Sequence, residues 1–188
     1  MSPSQHGLFG PADEDGVSRR AAIEGAYRWA LSRTWNSGGR HLVFLMLNPS
    51  TADAAKDDPT IRRCMGFGRA WGYGGIAVVN LYALRSSEPA ALYQHPDPIG
   101  ARNVRTVLDI VEEADVILAW GANPGPRPDH VFALQRAVRH CASRVDVLGW
   151  CSNGHPRHPL FVRASAERVS ISRNDRPPFY GDLPHADS

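Results

Sequence analysis

Polar and aromatic side chains follow directly after successive apolar segments of this sequence. Asn48, Asn80 and Trp120 each come at or just after the end of a short apolar run, and His155 and His158 follow a further run at 145–148. An asparagine amide both donates and accepts hydrogen bonds, so it can read the edge of a nucleobase. Aromatic rings stack on bases, and a histidine can donate a hydrogen bond to a leaving group that gains negative charge. These residue types indicate chemistry on a nucleobase.

Each of these residues also has a structural explanation. Asn48 could start a turn, Asn80 could cap one, and Trp120 could belong to the core. Asp57 or Asp58 could cap the helix that should follow them. The shared position of these residues at the ends of successive strands favours a ligand site over separate structural roles.

Other catalytic chemistries lack their motifs here. The sequence has neither the G-x-S-x-G motif of acyl transfer nor a Walker-type phosphate loop. Prolines between and after the two histidines disfavour helical metal-ligand geometry, and the three cysteines form no CxxC pair. We therefore expect neither a metal nor another cofactor.

The charge pattern permits a local nucleic-acid surface. The 188 residues carry a formal charge of only +2, which excludes a strongly basic, histone-like protein. Between 127 and 176, however, nine arginines stand against four acidic residues, although a GC-rich genome would also favour arginine. A guanidinium binds phosphate through two hydrogen bonds, so a one-sided phosphate-facing surface is compatible with the sequence.

The elements that must position these residues alternate along the chain. Apolar runs predict buried strands at 41–47, 76–79, 115–120 and 145–148, and alternation at 27–35 predicts a half-buried strand. Helices are predicted from Pro59 to about 71, over 100–114 with Val104, Leu108 and Val111 on one face, and over 129–141. This order predicts an α/β fold, a three-layer sandwich with a central, mostly parallel sheet, and a ligand site at the carboxyl ends of the strands.

The chain is predicted to hold one domain. Residues 1–18 should be a flexible leader, 19–172 the single α/β domain, and 173–188 a loose tail. No run approaches the roughly 20 apolar residues of a membrane helix, no secretory signal is visible, and cysteines are sparse. We expect a cytoplasmic protein with no membrane partner.

The sequence resembles an uncharacterised bacterial and phage family, a domain of unknown function. The shared segments are LNPSTAD at 47–53, DPTIRR at 58–63, WGYGG at 71–75, VNLYALR at 79–85, DPIG at 97–100, AWG at 119–121 and HPL at 158–160. The likeness spans about residues 27–170 and brings no established activity.

A more distant resemblance is to the uracil-DNA glycosylase superfamily. Asn48-Pro49 resembles its water-positioning loop, VVN at 78–80 resembles the strand end that reads the base, and LAWG at 118–121 resembles a structural strand. HPRHPL at 155–160 resembles the loop that supplies the leaving-group histidine. The resemblance implies a uracil-DNA-glycosylase-like fold and an N-glycosidase that acts on a flipped-out, modified or mismatched base, with a place in DNA repair.

The resemblance and the residue types together give the expected site. The catalytic candidates are Asn48, Asp53, His155 and His158. The substrate-binding candidates are Pro49, Ser50, Thr51, Asp58, Asn80, Tyr82, Arg85, Trp120 and Gly121, with Tyr82 or another aromatic residue stacking on the base. The candidates for nucleic-acid phosphates are Arg63, Arg157 and Arg163, and Arg85 could hold a phosphate as well.

Several departures from the superfamily keep other functions open. Position 48 holds Asn rather than Asp, so it supplies no general base, and neither His155 nor His158 aligns unambiguously with the family's histidine. A non-catalytic module that binds nucleic acid or a nucleotide-like ligand is one alternative. A hydrolase of a free nucleoside-like small molecule is another. The expected partner is nucleic acid, DNA in the first place, or a nucleotide-like ligand.

Overall fold

A computed structural model describes residues 16–50 and 56–172, and these residues form one mixed sheet with helices on both faces. The strands are β1 (Ser18–Glu24), β2 (Tyr27–Thr34), β3 (His41–Met46), β4 (Gly75–Asn80), β5 (Asp115–Leu118), β6 (Arg144–Val147) and β7 (Val169–Ser170). Their order across the sheet is β1-β2-β4-β3-β5-β6-β7.

The parallel part of the sheet is its centre. Strands β4, β3, β5 and β6 pair in parallel, whereas β1, β2 and β7 join the sheet through antiparallel pairings. The α/β class is therefore confirmed. The expectation of a mostly parallel sheet is wrong, because three of the six pairings are antiparallel: β1 and β7 were not predicted, and β2 pairs with β4 in the antiparallel direction.

Four helices connect the strands within the described residues. They are α1 (Pro59–Ala70), α2 (Ala91–Gln94), α3 (Asn103–Val111) and α4 (Pro128–Cys141), and a 3₁₀ turn covers Pro159–Phe161. Asp58 caps α1 as predicted, since its Oδ1 accepts a hydrogen bond from the Ile61 amide at 2.8 Å. None of the helices in these segments is long and apolar enough to cross a bilayer.

The sheet separates two hydrophobic clusters. On one face, Val43, Leu45 and Val79 pack with residues of α3 and α4. On the other face, Phe44 and Val78 pack with the apolar side of α1. This arrangement is the expected three-layer sandwich, with both faces of the central strands buried.

The first two strands differ from the sequence-based expectation. Strand β1 begins at Ser18, a residue that the prediction assigned to the leader. The leader before Gly16 and the predicted tail from Arg173 lie outside the described residues. Strand β2 was predicted to be half-buried, but Arg28 through Thr34 are all buried. The reason is that β2 lies inside the sheet, between β1 and β4, so its polar side chains are covered as well.

Helix α3 presents a different face to the core than the sequence predicted. Val104 is 41% exposed, while Asn103, Thr106 and Val107 are buried. Val111 is buried as expected and Leu108 is partly buried against the same cluster. The prediction for Val104 is wrong because the polar residues Asn103 and Thr106 lie on the buried side of the helix. The spacing of the apolar residues alone therefore does not indicate which side is buried.

Candidate functional site

A cavity of about 340 Å³ lies beyond the carboxyl ends of β3, β4 and β5. This size falls at the lower end of the roughly 300–1,000 Å³ typical of small-molecule sites. Its polar lining residues are Arg28, Asn48, Ser50, Asp58, Thr60, Asn80, Ser86, Ser87, Asn123 and His158. Its apolar lining includes Val78, Trp120 and Phe161. Residues from three strand ends and the loop before the 3₁₀ turn thus meet around one space.

Backbone carbonyls fix the amide of Asn48. Its Nδ2 donates to the carbonyls of Pro49 at 3.1 Å and Ser86 at 3.0 Å, with Leu84 at 3.5 Å. Among the described residues, none donates a hydrogen bond to its Oδ1. Asn48 therefore offers a ligand or a water molecule an acceptor, and its NH₂ group is already used.

Asn80 is a buried residue whose acceptor has no partner. The residue is only 1% exposed, it ends β4, and it lines the cavity. No hydrogen bond within the described structure satisfies its Oδ1. The backbone around it is held by Asn103, whose Nδ2 donates to the carbonyls of Asn80 at 3.0 Å and Leu81 at 2.9 Å. An unpaired buried amide oxygen costs free energy, which a ligand N–H could recover.

His158 presents one ring nitrogen for hydrogen bonding. Its Nδ1 accepts from the Leu160 amide at 3.3 Å, so the neutral ring carries its proton on Nε2. Burial lowers the pKa of His158, and the charge of Asp58 partly opposes this effect. Gly121 lies beside His158 and has a left-handed φ of 86°. A Cβ added to Gly121 would lie 3.5 Å from the His158 Cβ. The imidazole is thus a neutral donor at neutral pH, beside a residue with no side chain.

His155 does not line the cavity. Its Nδ1 accepts a hydrogen bond from Trp120 Nε1 at 3.3 Å. Trp120 is 2% exposed and belongs to the core, and it also contributes to the cavity wall. The two histidines that the sequence left equivalent therefore differ: His158 faces the candidate site and His155 holds a wall residue.

Asp58 combines two structural bonds with its place in the cavity. Its Oδ1 caps α1, and its Oδ2 accepts a short hydrogen bond from the Ser50 hydroxyl. It is the one carboxylate among the described lining residues. Both of its oxygens are engaged, so Asp58 organises the site and is not a free base in this arrangement.

Arg28 is a lining residue that the sequence analysis missed. A β-bulge makes Ala22 pair with Ala30 and Ile23 with Arg28, so Trp29 is the extra residue. A bulge shifts side-chain alternation, and Arg28 consequently lines the cavity on the α1 face. No local signal marks such a bulge in the sequence.

The buried guanidinium of Arg28 remains charged at neutral pH. The residue is 2% exposed, and this burial lowers its pKa to about 10, while Asp58 opposes the lowering. The nearby charges of Arg85 and Arg33 lower it further. Arg33, fully buried, is paired with Asp57 at 2.6 Å. In the described lining of the cavity, the charge of Arg28 is therefore accompanied by the opposite charge of Asp58.

Several predicted residues lie away from this cavity. Tyr82 is fully buried, and its hydroxyl donates to the Pro124 carbonyl at 2.9 Å and accepts from the Arg127 amide at 3.0 Å. Its ring therefore cannot stack on a ligand there, and Phe161, which is 80% exposed, is the accessible ring of the wall. Pro49 is buried behind the wall and accepts from the Ser86 amide at 2.9 Å.

The arginines predicted to hold phosphates are also outside the cavity. Arg63 donates to the carbonyls of Pro159 and Val162 and so ties α1 to the 3₁₀ turn. Arg157 donates to the Trp150 carbonyl at 3.0 Å, and Arg163 is exposed. Arg85 lines an adjoining cavity. Thr51 and Asp53 lie outside the described residues.

Residues 16–50 and 56–172 contain no group of side chains arranged to bind a metal ion. No three His, Cys, Asp or Glu side chains there lie close enough together to hold a metal ion. The described lining of the candidate site consists of amides, hydroxyls, one imidazole, one guanidinium and one carboxylate around an apolar wall.

Comparison with known proteins identifies a family for this chain. No curated protein and no solved structure matches it. The family model described as "Protein of unknown function (DUF1643)" matches residues 28–160, a span that contains every lining residue of the cavity except Phe161. Because this match covers more than half of the chain, the protein belongs to the DUF1643 family.

Proposed function

We propose that this protein binds a nucleobase turned out of nucleic acid, DNA in the first place, and hydrolyses its N-glycosidic bond. The observation that carries the proposal is the convergence of Asn48, Asn80 and His158 on one cavity from three separate places in the sequence. A base extruded from a helix is read by hydrogen bonds to its edge and by stacking in such a pocket. The buried, unpaired Oδ1 of Asn80 supports this use.

The reaction consumes one water molecule. The water oxygen bonds to C1′ as the C1′–N bond breaks, and the bonding electrons leave with the base. The proton released by the water balances the negative charge of the departing base. Asn48 Oδ1 would accept a hydrogen bond from this water and hold it near C1′, whereas Asn80 would read the edge of the base.

His158 would stabilise the leaving group. Its Nε2–H is free to donate to the base because Nδ1 already accepts from a backbone amide. A positioned donor that meets developing negative charge is typically worth about 10²- to 10³-fold in rate. His158→Ala should therefore lower base release by about that factor.

The test is incubation of the folded protein with oligonucleotides, duplex and single-stranded, that carry deaminated, alkylated or mismatched bases. Alkali then cuts the chain at every abasic site. His155→Ala is the matched control, since His155 supports Trp120 from outside the cavity, and it should change the rate less than tenfold. If wild-type protein yields no breaks on any substrate, the glycosidase proposal fails.

A second function, binding without chemistry, is favoured by one observation. The single described carboxylate of the cavity, Asp58, has both oxygens engaged, and position 48 is an amide. A binding module would retain nucleic-acid affinity in Asn48→Ala and release no base in either form. A glycosidase would lose turnover in this variant and keep its affinity.

A further inference from the structure

A second cavity adjoins the candidate site. It has a volume of about 430 Å³ and is lined by Ala26, Ser50, Arg85, Ser86 and Ser87. The three serines line both cavities. A ligand can therefore occupy the base-sized cavity and extend past the serines to Arg85.

Backbone pairing places Arg85 beside this passage. The Arg85 amide donates to the Ala26 carbonyl at 2.9 Å, and the Arg28 amide donates to the Ala83 carbonyl at 2.9 Å. The segment after β4 thus runs antiparallel to the start of β2. This pairing brings two guanidinium groups, those of Arg28 and Arg85, to the junction of the two cavities.

The guanidinium of Arg85 lacks a counter-charge in the described structure. Its Nε is buried without a hydrogen-bond partner, and no described carboxylate forms an ion pair with it. Of the three serines, Ser50 is bonded to Asp58 and Ser86 to Glu88, whereas the exposed Ser87 has no side-chain bond within the described residues. A half-buried guanidinium whose Nε is buried without a hydrogen-bond partner or a counter-charge is unfavourable, so this junction suits an anion.

We propose that Arg85, with the Ser87 hydroxyl, binds the phosphate of a ligand whose base occupies the cavity of Asn48, Asn80 and His158. A guanidinium and a hydroxyl are both groups that bind phosphate oxygens. This proposal rests on the proposed function, because it takes the ligand group in the cavity to be a base. It adds a binding site for the phosphate of the same ligand. The substrate class is then a phosphate-bearing nucleotide unit, free or within nucleic acid, rather than a free nucleoside.

The test is calorimetric titration at low salt with nucleoside 5′-monophosphates, the matching nucleosides and a single-stranded oligonucleotide. Wild-type protein should bind phosphate-bearing probes about 10- to 100-fold more tightly than the nucleosides. Arg85→Gln should remove this advantage, and Arg85→Lys should restore part of it. Arg105→Gln is the control, because Arg105 is exposed on α3 and pairs with Asp109. Circular dichroism confirms that each variant is folded.

Each outcome decides the proposal. An Arg85-dependent gain for monophosphates identifies a free nucleotide as the source of the phosphate, and a gain for the oligonucleotide alone identifies the nucleic-acid backbone. Equal affinity for nucleosides and phosphate-bearing probes, wild-type affinity in Arg85→Gln, or no binding of any phosphate-bearing probe overturns it. Because these titrations measure binding, a protein that releases no base can still show the subsite, and base release can persist without it.

Discussion

Two buried asparagines meet where β4 ends: Asn80 is the last residue of β4, and Asn103 is the first residue of α3. Asn103 donates to two backbone carbonyls and stabilises the strand end. Asn80, whose own carbonyl accepts one of those bonds, is buried with its side-chain Oδ1 unpaired. The Oδ1 of Asn103 is buried and unpaired as well, so the two residues differ in position: Asn80 lines the cavity and Asn103 does not.

The two side-chain hydrogen bonds of Asn103 predict that its alanine substitution affects stability more than that of Asn80. Asn80→Ala should change the free energy of unfolding by less than about 1 kcal/mol, because it removes an unsatisfied polar group as well as packing. Asn103→Ala should lower it by about 2 kcal/mol, because two buried carbonyls lose their donor. Urea unfolding measures both values. A loss for Asn80→Ala as large as that for Asn103→Ala would make Asn80 a structural residue.

The sequence predicted part of the site at the level of single residues. The amides at 48 and 80 were visible because each follows an apolar strand, and both line the cavity. Arg28 was missed because a bulge between non-local partners decides which face its side chain takes. The two histidines were indistinguishable because their hydrogen-bond partners, Trp120 and Leu160, are set by the folded loop.

At the scale of elements, sequence patterns located most strands and helices of the centre. The start of α1 was predictable, since an aspartate followed by proline is a strong helix start. Strands β1 and β7 were missed because β1 has few apolar residues and β7 contains only two residues. The face of α3 was misassigned because buried Asn103 and Thr106 interrupt its apolar period.

The corrected face of α3 leads to a prediction. Val107→Ala should lower the free energy of unfolding by about 2 kcal/mol, because Val107 is fully buried and its methyl groups leave a cavity. Val104→Ala should change it by less than about 0.5 kcal/mol, since Val104 is largely exposed. Thermal or urea unfolding of both variants measures the contrast, and equal losses would contradict the assigned face.

At the scale of the whole molecule, partly buried histidines couple stability to pH. Burial lowers the pKa of His41, His130, His155 and His158 in the folded protein. In the unfolded chain these rings bind protons around their ordinary pKa of 6.5, before the folded protein does. The unfolded state therefore gains stability relative to the folded one as the pH falls through this value.

We expect the free energy of unfolding to be lower at pH 5.5 than at pH 7.5. Urea unfolding at the two pH values measures the difference. His130→Gln should make the decline shallower, because it removes one of the four contributing rings. A free energy of unfolding that is constant or higher at the lower pH would contradict the lowered pKa values of these imidazoles in the folded protein.

The cavity on which the proposed function depends lies at the edge of the sheet where β3, β4 and β5 end. The parallel centre brings distant residues together there, and the antiparallel hairpin of β1 and β2 adds Arg28 to them. The family match covers these elements from β2 to the loop of His158. The cavity is therefore built from the part of the chain that defines the family.

The most direct measurement of this account follows the side-chain amide resonances of Asn48 and Asn80 by NMR during titration with a nucleotide. Binding of a base in the cavity should shift the Asn80 amide saturably and with the largest amplitude, and the Asn48 amide should shift with the same affinity. The Asn103 amide should shift less, because Asn103 does not line the cavity. Amides of Asn48 and Asn80 that stay unshifted while nucleotide binds elsewhere would contradict the account.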